Sequence, residues 1–254
     1  MNHKIVQDDR ALYRDRIYQS YVHARQDPLA PASIAGLQAR LHTLTAMMRR
    51  VGPPDRHASI LDLGCGHGAV VQTLNQLGYA NVRGVDGSPQ QVEAAHRLGI
   101  EGVTQGDILQ TLAETGAEQW DAVVTFDVIE HFTKDELIGF IDEVHRILRP
   151  GGRWIIHMPN GESPFGGKVL CGDFTHELAF TRTSLTQLLK ASGFNEVDCF
   201  EDTPVVHGVK SAIRALLWRL IRWFWLAYIA IETGGTDRRA IFTQNFLAVA
   251  VKNT

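Results

Sequence analysis

From Ser59 onward, short apolar runs alternate with stretches whose apolar residues recur at helical spacing. Ile60–Leu63, Val82–Val85, Gly102–Gly106, Trp120–Phe126 and Arg153–Met158 read as strands, and Trp120–Phe126 is apolar enough to be covered on both faces. Between them, Ala69–Leu77 reads as a helix with Gly78 at its C-terminal cap, and Ser88-Pro89 opens another with a good cap and a proline at its first position. Lys134–Leu148 begins with the capping box Thr133-x-x-Glu136 and presents Leu137, Phe140, Ile141, Val144 and Leu148 on one side, stopping at Pro150-Gly151-Gly152. A long connection, 159–180, precedes a helix from Arg182 to Gly193. Val197–Phe200 and Phe246–Val251 read as the last two strands, separated by an apolar helical region. Strands alternating with helices predict an α/β domain of three layers around a mostly parallel sheet.

Residues 1–57 show no strand pattern. Tyr13, Ile17, Tyr18, Tyr21 and Val22 fall at roughly helical spacing, and the turn-rich Gly52-Pro53-Pro54-Asp55 separates this N-terminal helical cap from the main domain, 58–254. Within the main domain, the segment 207–232 is rich in Trp, Leu and Ile, with Arg214, Arg219 and Arg222 on one side of a helix. Arg219 and Arg222 interrupt its apolar run, which falls short of a membrane span. Such a helix can lie in a membrane interface, contact a second copy of the chain, or cover a pocket.

In a parallel sheet, ligands bind beyond the carboxyl ends of the strands. The first strand runs there into Asp62-Leu-Gly64-Cys-Gly66-His-Gly68, and the helix that follows aims free N–H groups at the same place. Cys65 reads as a small buried residue and His67 as a solvent-facing filler of the motif. Asp86 follows the second strand, where a carboxylate can accept from both hydroxyls of a ribose, and Asp107 follows the third. Taken alone, the glycines also satisfy the loose dinucleotide pattern Gly64-x-Gly66-x-x-Ala69.

The combination is more specific. Asp62-x-Gly64-x-Gly66-x-Gly68, Gly84-Val85-Asp86-Gly87-Ser88-Pro89, Gln105-Gly106-Asp107-Ile108, Phe126-Asp127-Val128-Ile129-Glu130-His131 and Leu148-Arg149-Pro150-Gly151-Gly152 resemble, in order and spacing, the signature of class I S-adenosylmethionine-dependent methyltransferases. The resemblance implies a Rossmann-like, seven-stranded sheet with an antiparallel last strand. It implies S-adenosylmethionine lying along Gly64 and Gly66, and Asp86 with Gly87 at the ribose. Asp107 and the Ile108 backbone would meet the adenine, the carbonyls near Phe126 the methionine end, and Asp62 the amino group.

Methyl transfer to a hydroxyl also requires that the acceptor lose a proton, through a positioned histidine or a divalent cation. Asp127-x-x-Glu130-His131 lies on the cofactor-facing rim, and Thr175-His176-x-x-x-Phe180-Thr181-Arg182 lies in the long connection. The pair resembles two groups: ubiquinone-type O-methyltransferases, with a Glu-His after the fourth strand and a later Thr-His-x-x-x-Phe, and small-RNA 2′-O-methyltransferases, whose matching residues hold Mg²⁺. The second resemblance implies a Mg²⁺ or Mn²⁺ set of Asp127, Glu130, His131 and His176, with Asp127 a shorter side chain than the glutamate usual there. Without a metal, His131 becomes the general base; Glu130, His131 and His176 are the catalytic candidates either way. Of the remaining histidines, His157 stands out because it lies on the fifth strand.

A net charge of −3 provides no broad basic field and disfavours nucleic acid as a partner. The expected acceptor is a hydroxyl of a small molecule, sugar or glycan, with 159–182 as the acceptor-side connection. An RNA-terminal 2′-O-methyltransferase and a catalytically silent, cofactor-binding partner subunit are the alternatives. Three cysteines, Cys65, Cys171 and Cys199, without metal spacing, and a charged N-terminus without a signal-peptide apolar block, fit a cytoplasmic protein, peripheral at the inner membrane face if the 210–231 helix binds lipid.

Overall fold

A computed structural model describes residues 30–253; the helical pattern of Tyr13 to Val22 lies outside the described residues. Seven strands form one sheet in the order β3-β2-β1-β4-β5-β7-β6. They are β1 (Ser59–Leu63), β2 (Asn81–Asp86), β3 (Val103–Gln105), β4 (Trp120–Phe126), β5 (Leu148–Pro159), β6 (Phe194–Glu201) and β7 (Asn245–Lys252). The pairs β1–β2, β1–β4, β2–β3 and β4–β5 are parallel, and β7 runs antiparallel to both β5 and β6. β6 therefore points the same way as the first five strands, and its end, Glu201, lies on the rim where β1, β2 and β4 end.

The helices are α1 (Ile34–Val51), α2 (Ala69–Gln76), α3 (Pro89–Arg97), α4 (Ile108–Glu114), α5 (Lys134–Ile147), α6 (Gly166–Leu170), α7 (Arg182–Ala191) and α8 (Val209–Thr233). The period-two alternation of the strands divides the core. Leu61, Leu63, Val123, Trp154, Ile156, Phe246 and Ala248 face a layer built on α5 and α7. Ile60, Ala122, Val124, Ile155, Leu247 and Val249 face one built on α1, α2 and α3. Within that second layer α1, the described part of the N-terminal segment, buries Leu37, Leu41, Leu44, Met47, Met48 and Val51.

Local signals act as their chemistry dictates. Ser88 accepts from the Gln91 amide at the start of α3, and Thr133 and Glu136 close a reciprocal capping box on α5. One boundary differs from the sequence reading. α5 ends at Ile147, and Leu148 already pairs with Trp120, so Pro150-Gly151-Gly152 is an irregularity inside β5 rather than a loop before it. The left-handed Gly151 absorbs the kink there (φ 75°).

Candidate active site

The turn between β1 and α2 is built from backbone. Gly64, Gly66 and Gly68 have φ of 73°, 56° and 79°. A Cβ on Gly64 would lie 2.6 Å from Val128 Cγ2, whereas one on Gly66 would meet nothing closer than 3.9 Å. Gly64 is thus tied to the protein, and Gly66 borders open space that a ligand can use. The Gly64 and Cys65 amides both donate to the Val85 carbonyl, at 2.8 and 3.1 Å, which pins the turn to β2.

Asp86 receives the Gly66 amide at 2.7 Å and the Ser88 amide at 2.8 Å, one on each oxygen. Burial pushes its carboxyl up, and these two amides oppose the shift. Each oxygen keeps acceptor capacity for a hydroxyl. Asp107 caps α4 through the Gln110 amide, 2.8 Å away, with Ile108 as the first helical residue. Asp62 is fully buried, and among the described residues neither of its oxygens has a hydrogen-bond partner. Burial, and next the negative Asp86, push it up to about 8. Such a group calls for a cationic donor, and the ammonium of an amino-acid-like cofactor is one. His67 is buried, not solvent-facing, because the left-handed glycines on either side fold the turn inward around it; burial, then the Arg40 charge, lower its pKa.

The acceptor rim is assembled from distant segments. A short 3₁₀ turn, Ile129–His131, follows β4, and the Glu130 carbonyl accepts the Glu177 and Leu178 amides at 2.8 and 3.0 Å. This docks the long connection and brings His176 to Glu130, with Nε2 4.0 Å from Oε1. Glu130, His131 and His176 offer ligand atoms that all lie within 4.8 Å of one another. Glu130 is fully buried, and among the described residues neither carboxylate oxygen has a hydrogen-bond partner. Burial, then the charge of Asp127, push it up to about 8. A buried carboxylate facing two imidazoles is a donor set that fits a divalent cation.

His131 is oriented from behind. Its Nδ1 lies 2.9 Å from Thr175 Oγ1 and 3.3 Å from the Thr175 carbonyl, while Thr175 Oγ1 donates to Asp173 at 2.6 Å. With the threonine proton committed to Asp173, both Thr175 oxygens can only accept from Nδ1. The proton therefore sits on Nδ1 and the lone pair on Nε2. Burial, then the neighbouring His176, lower the pKa of His131. The roles of Thr175 and Asp173 escaped the sequence reading; the local signal was the Asx turn Asp173-x-Thr175, in which the Thr175 amide reaches Asp173 at 3.0 Å.

Asp127 stands apart from this cluster. Its backbone is left-handed (φ 55°), and its carboxylate accepts from His157 Nδ1 at 2.8 Å. The Phe126 and His157 rings stack at 4.8 Å, and Asp202, just past β6, approaches His157 Nε2 at 3.5 Å. Burial pulls the His157 imidazole down, but Asp127 and Asp202 overcome it and lift it to about 10. Burial likewise pushes Asp127 up, and His157 reverses that to a net lowering. The pair ties the end of β4 to β5, and the group that could hold an ion consists of Glu130, His131 and His176.

A family model described as a methyltransferase domain matches residues 36–198. The chain belongs to this methyltransferase family. An uncharacterized methyltransferase of Synechocystis sp. is 32% identical over 198 residues, 73% of this chain and 88% of that protein. A ubiquinone biosynthesis O-methyltransferase of Xylella fastidiosa is 29% identical over 160 residues, 58% of this chain and 63% of that protein, so the methyltransferase spans less than two thirds of this relative. Among solved structures, an S-adenosylmethionine-dependent methyltransferase of Archaeoglobus fulgidus aligns with a TM-score of 0.64 at 19% identity, covering 86% of this chain and 98% of that one. The fold is the Rossmann-like fold that this S-adenosylmethionine-dependent enzyme shares.

Proposed function

We propose that the enzyme is an O-methyltransferase acting on a hydroxyl of a small molecule, sugar or glycan, with Mg²⁺ or Mn²⁺ held by Glu130, His131 and His176. The observation that carries this reading is Glu130, a fully buried carboxylate that has no hydrogen-bond partner among the described residues and faces two imidazoles. The similarity to ubiquinone biosynthesis O-methyltransferases supports an oxygen acceptor.

On the donor side, Asp62 accepts the cofactor ammonium, Asp86 beside Gly87 the ribose hydroxyls, and Asp107 with the Ile108 backbone the adenine. The Phe126 carbonyl faces the methionine end. Gly64 and Gly66 keep the main chain low beneath the donor. The connection 159–182 closes over it and excludes water. When bound, the cofactor supplies a methyl group on a sulfonium, and the cation lowers the pKa of the acceptor hydroxyl. Held by these residues, S-adenosylmethionine would supply the methyl for a new oxygen–carbon bond and leave as S-adenosylhomocysteine, while the proton of the acidified hydroxyl would pass to water.

The Asp173–Thr175–His131 chain favours a second, metal-free reading. There, His131 Nε2 takes the hydroxyl proton directly, a contribution of about 10²–10⁴-fold. Treatment with EDTA separates the two. With methyl-labelled S-adenosylmethionine and a series of diol, catechol and sugar acceptors, the cation reading expects activity to vanish in EDTA and return with Mg²⁺ or Mn²⁺. Full activity in EDTA, with no Mn²⁺ bound by electron paramagnetic resonance, overturns it in favour of the His131 base.

A further inference from the structure

α8 is a 25-residue helix of which only Ser211 is buried. It follows β6, so it leaves the sheet on the rim that carries the cofactor turn. Two features hold it. At its start, the His207 amide donates to Ser211 Oγ, which donates to the Gly208 carbonyl. At its middle, Arg222 binds Glu201 at 2.9 Å and the carbonyls of Arg238 and Ala240 at 2.8 and 3.0 Å. Ser211 and Arg222 mark the side turned to the protein.

At about 100° per residue, the opposite side is formed by Val209, Ile213, Leu216, Leu220, Trp223 and Phe224, and continues to Ile231. It faces outward: Ile231 is 87% exposed, Trp223 75%, Phe224 63% and Leu220 61%. Exposed cations flank it, Lys210 and Arg214 along one edge and Arg219 along the other. No acidic residue occurs from Val209 to Ile231. The polarity is therefore inverted relative to a helix of a soluble domain, with the arginine side inward and the apolar side outward.

We propose that α8 docks the enzyme onto a lipid surface of negative charge, lying flat in the interface with its apolar face in the acyl boundary and Lys210, Arg214 and Arg219 at the headgroups. Charge decides the occupant. A like-charged second copy of the helix would bring basic edges together, whereas anionic headgroups complement both edges at once. No helix among the described residues is long and apolar enough to cross a membrane, so the contact is peripheral.

The test is co-sedimentation of the full chain with vesicles of phosphatidylcholine alone and of phosphatidylcholine with phosphatidylglycerol. Binding is expected to the mixed vesicles and to weaken with salt. Leu220→Glu with Phe224→Glu is expected to reduce it by at least about tenfold. Arg214→Gln with Arg219→Gln is expected to reduce binding to mixed vesicles toward the level on phosphatidylcholine alone. Calorimetric binding of S-adenosylmethionine, retained in both double variants, shows that they fold. No sedimentation with mixed vesicles, or unchanged sedimentation of both variants, overturns the proposal. So does a dimeric mass in solution that Leu220→Glu with Phe224→Glu converts to monomer while vesicles are ignored, because the face then belongs to a second copy.

Discussion

Asp62 and Glu130 share an unusual condition. Both carboxylates are fully buried, both lack a hydrogen-bond partner among the described residues, and both are pushed up to about 8. Their surroundings differ. Asp62 lies on β1, paired in register with Gly84 of β2 and just before the glycine turn, and its charged neighbour is another carboxylate, Asp86. Glu130 lies among side chains drawn from two segments, and besides the charge of Asp127 it faces the imidazoles of His131 and His176. A carboxylate among carboxylates and amides suits an organic ammonium, which brings its own hydrogens. A carboxylate among nitrogen lone pairs suits a cation that needs donors from several sides. Burial without a partner makes both places candidates for a bound group, and under the proposed function the neighbours distinguish what each would receive.

The sharpest way to break this comparison is Glu130→Gln. Loss of the buried charge is expected to cut turnover on the order of 10³-fold, while S-adenosylmethionine affinity stays near the parent value. The neutral amide avoids the cost of burying an anion, so the melting temperature of the ligand-free variant at pH 8 should equal or exceed the parent's. Turnover and melting temperature falling together would make Glu130 a structural residue. Asp62→Asn should show the reverse selectivity. Cofactor affinity should drop by about 10–100-fold, as for loss of a charged hydrogen bond, with the acceptor KM little changed. Calorimetry in buffers of different ionisation enthalpy adds a signature. Cofactor binding near pH 7 should release protons from the parent as Asp62 ionises, and this release should disappear in Asp62→Asn.

Thr175→Val tests the support behind His131. Freed of its oriented Nδ1 partner, the imidazole should lose about tenfold in turnover, with little change in cofactor affinity. The smallest effect concerns pH. Asp62 and Glu130 titrate near 8 in the fold, against ordinary values of 3.8 and 4.5, and His157 near 10 against 6.5. In each interval the folded chain holds a proton that the unfolded chain has lost, so stability falls as pH rises, from about 4 to 8 for the carboxylates and from about 6.5 to 10 for His157. The melting temperature of the ligand-free enzyme should therefore decline between pH 6 and 8, on the order of a few degrees. Saturating S-adenosylmethionine should flatten the part due to Asp62.

The cofactor half was legible in the sequence because its chemistry is local. Gly64, Gly66, Gly68 and Asp86 lie within one β-turn-α-β passage, and backbone conformation dictates their residue types. The strands and caps were legible for the same reason, since period and capping act over a few residues. The acceptor half was legible only as a list of residue types. That Glu130, His131 and His176 meet depends on two amides of the long connection reaching the Glu130 carbonyl. The same list included Asp127, which the structure instead gives to His157, a partner 30 residues away on the neighbouring strand. α8 shows the remaining blind spot. Its periodicity revealed an apolar face, but which way that face turns depends on where the salt bridge from Arg222 to Glu201 lies.

The Glu177 and Leu178 amides also constrain how the enzyme can admit its substrate. Because they clasp the main chain of the very residue that meets His176, the stretch around 175–178 has no freedom to swing away while those bonds hold. Upstream and downstream the connection is tied as well, because the Gly161 amide donates to the Phe180 carbonyl at 2.7 Å. The three-residue cluster therefore keeps its spacing by main-chain bonds alone, whatever its side chains receive.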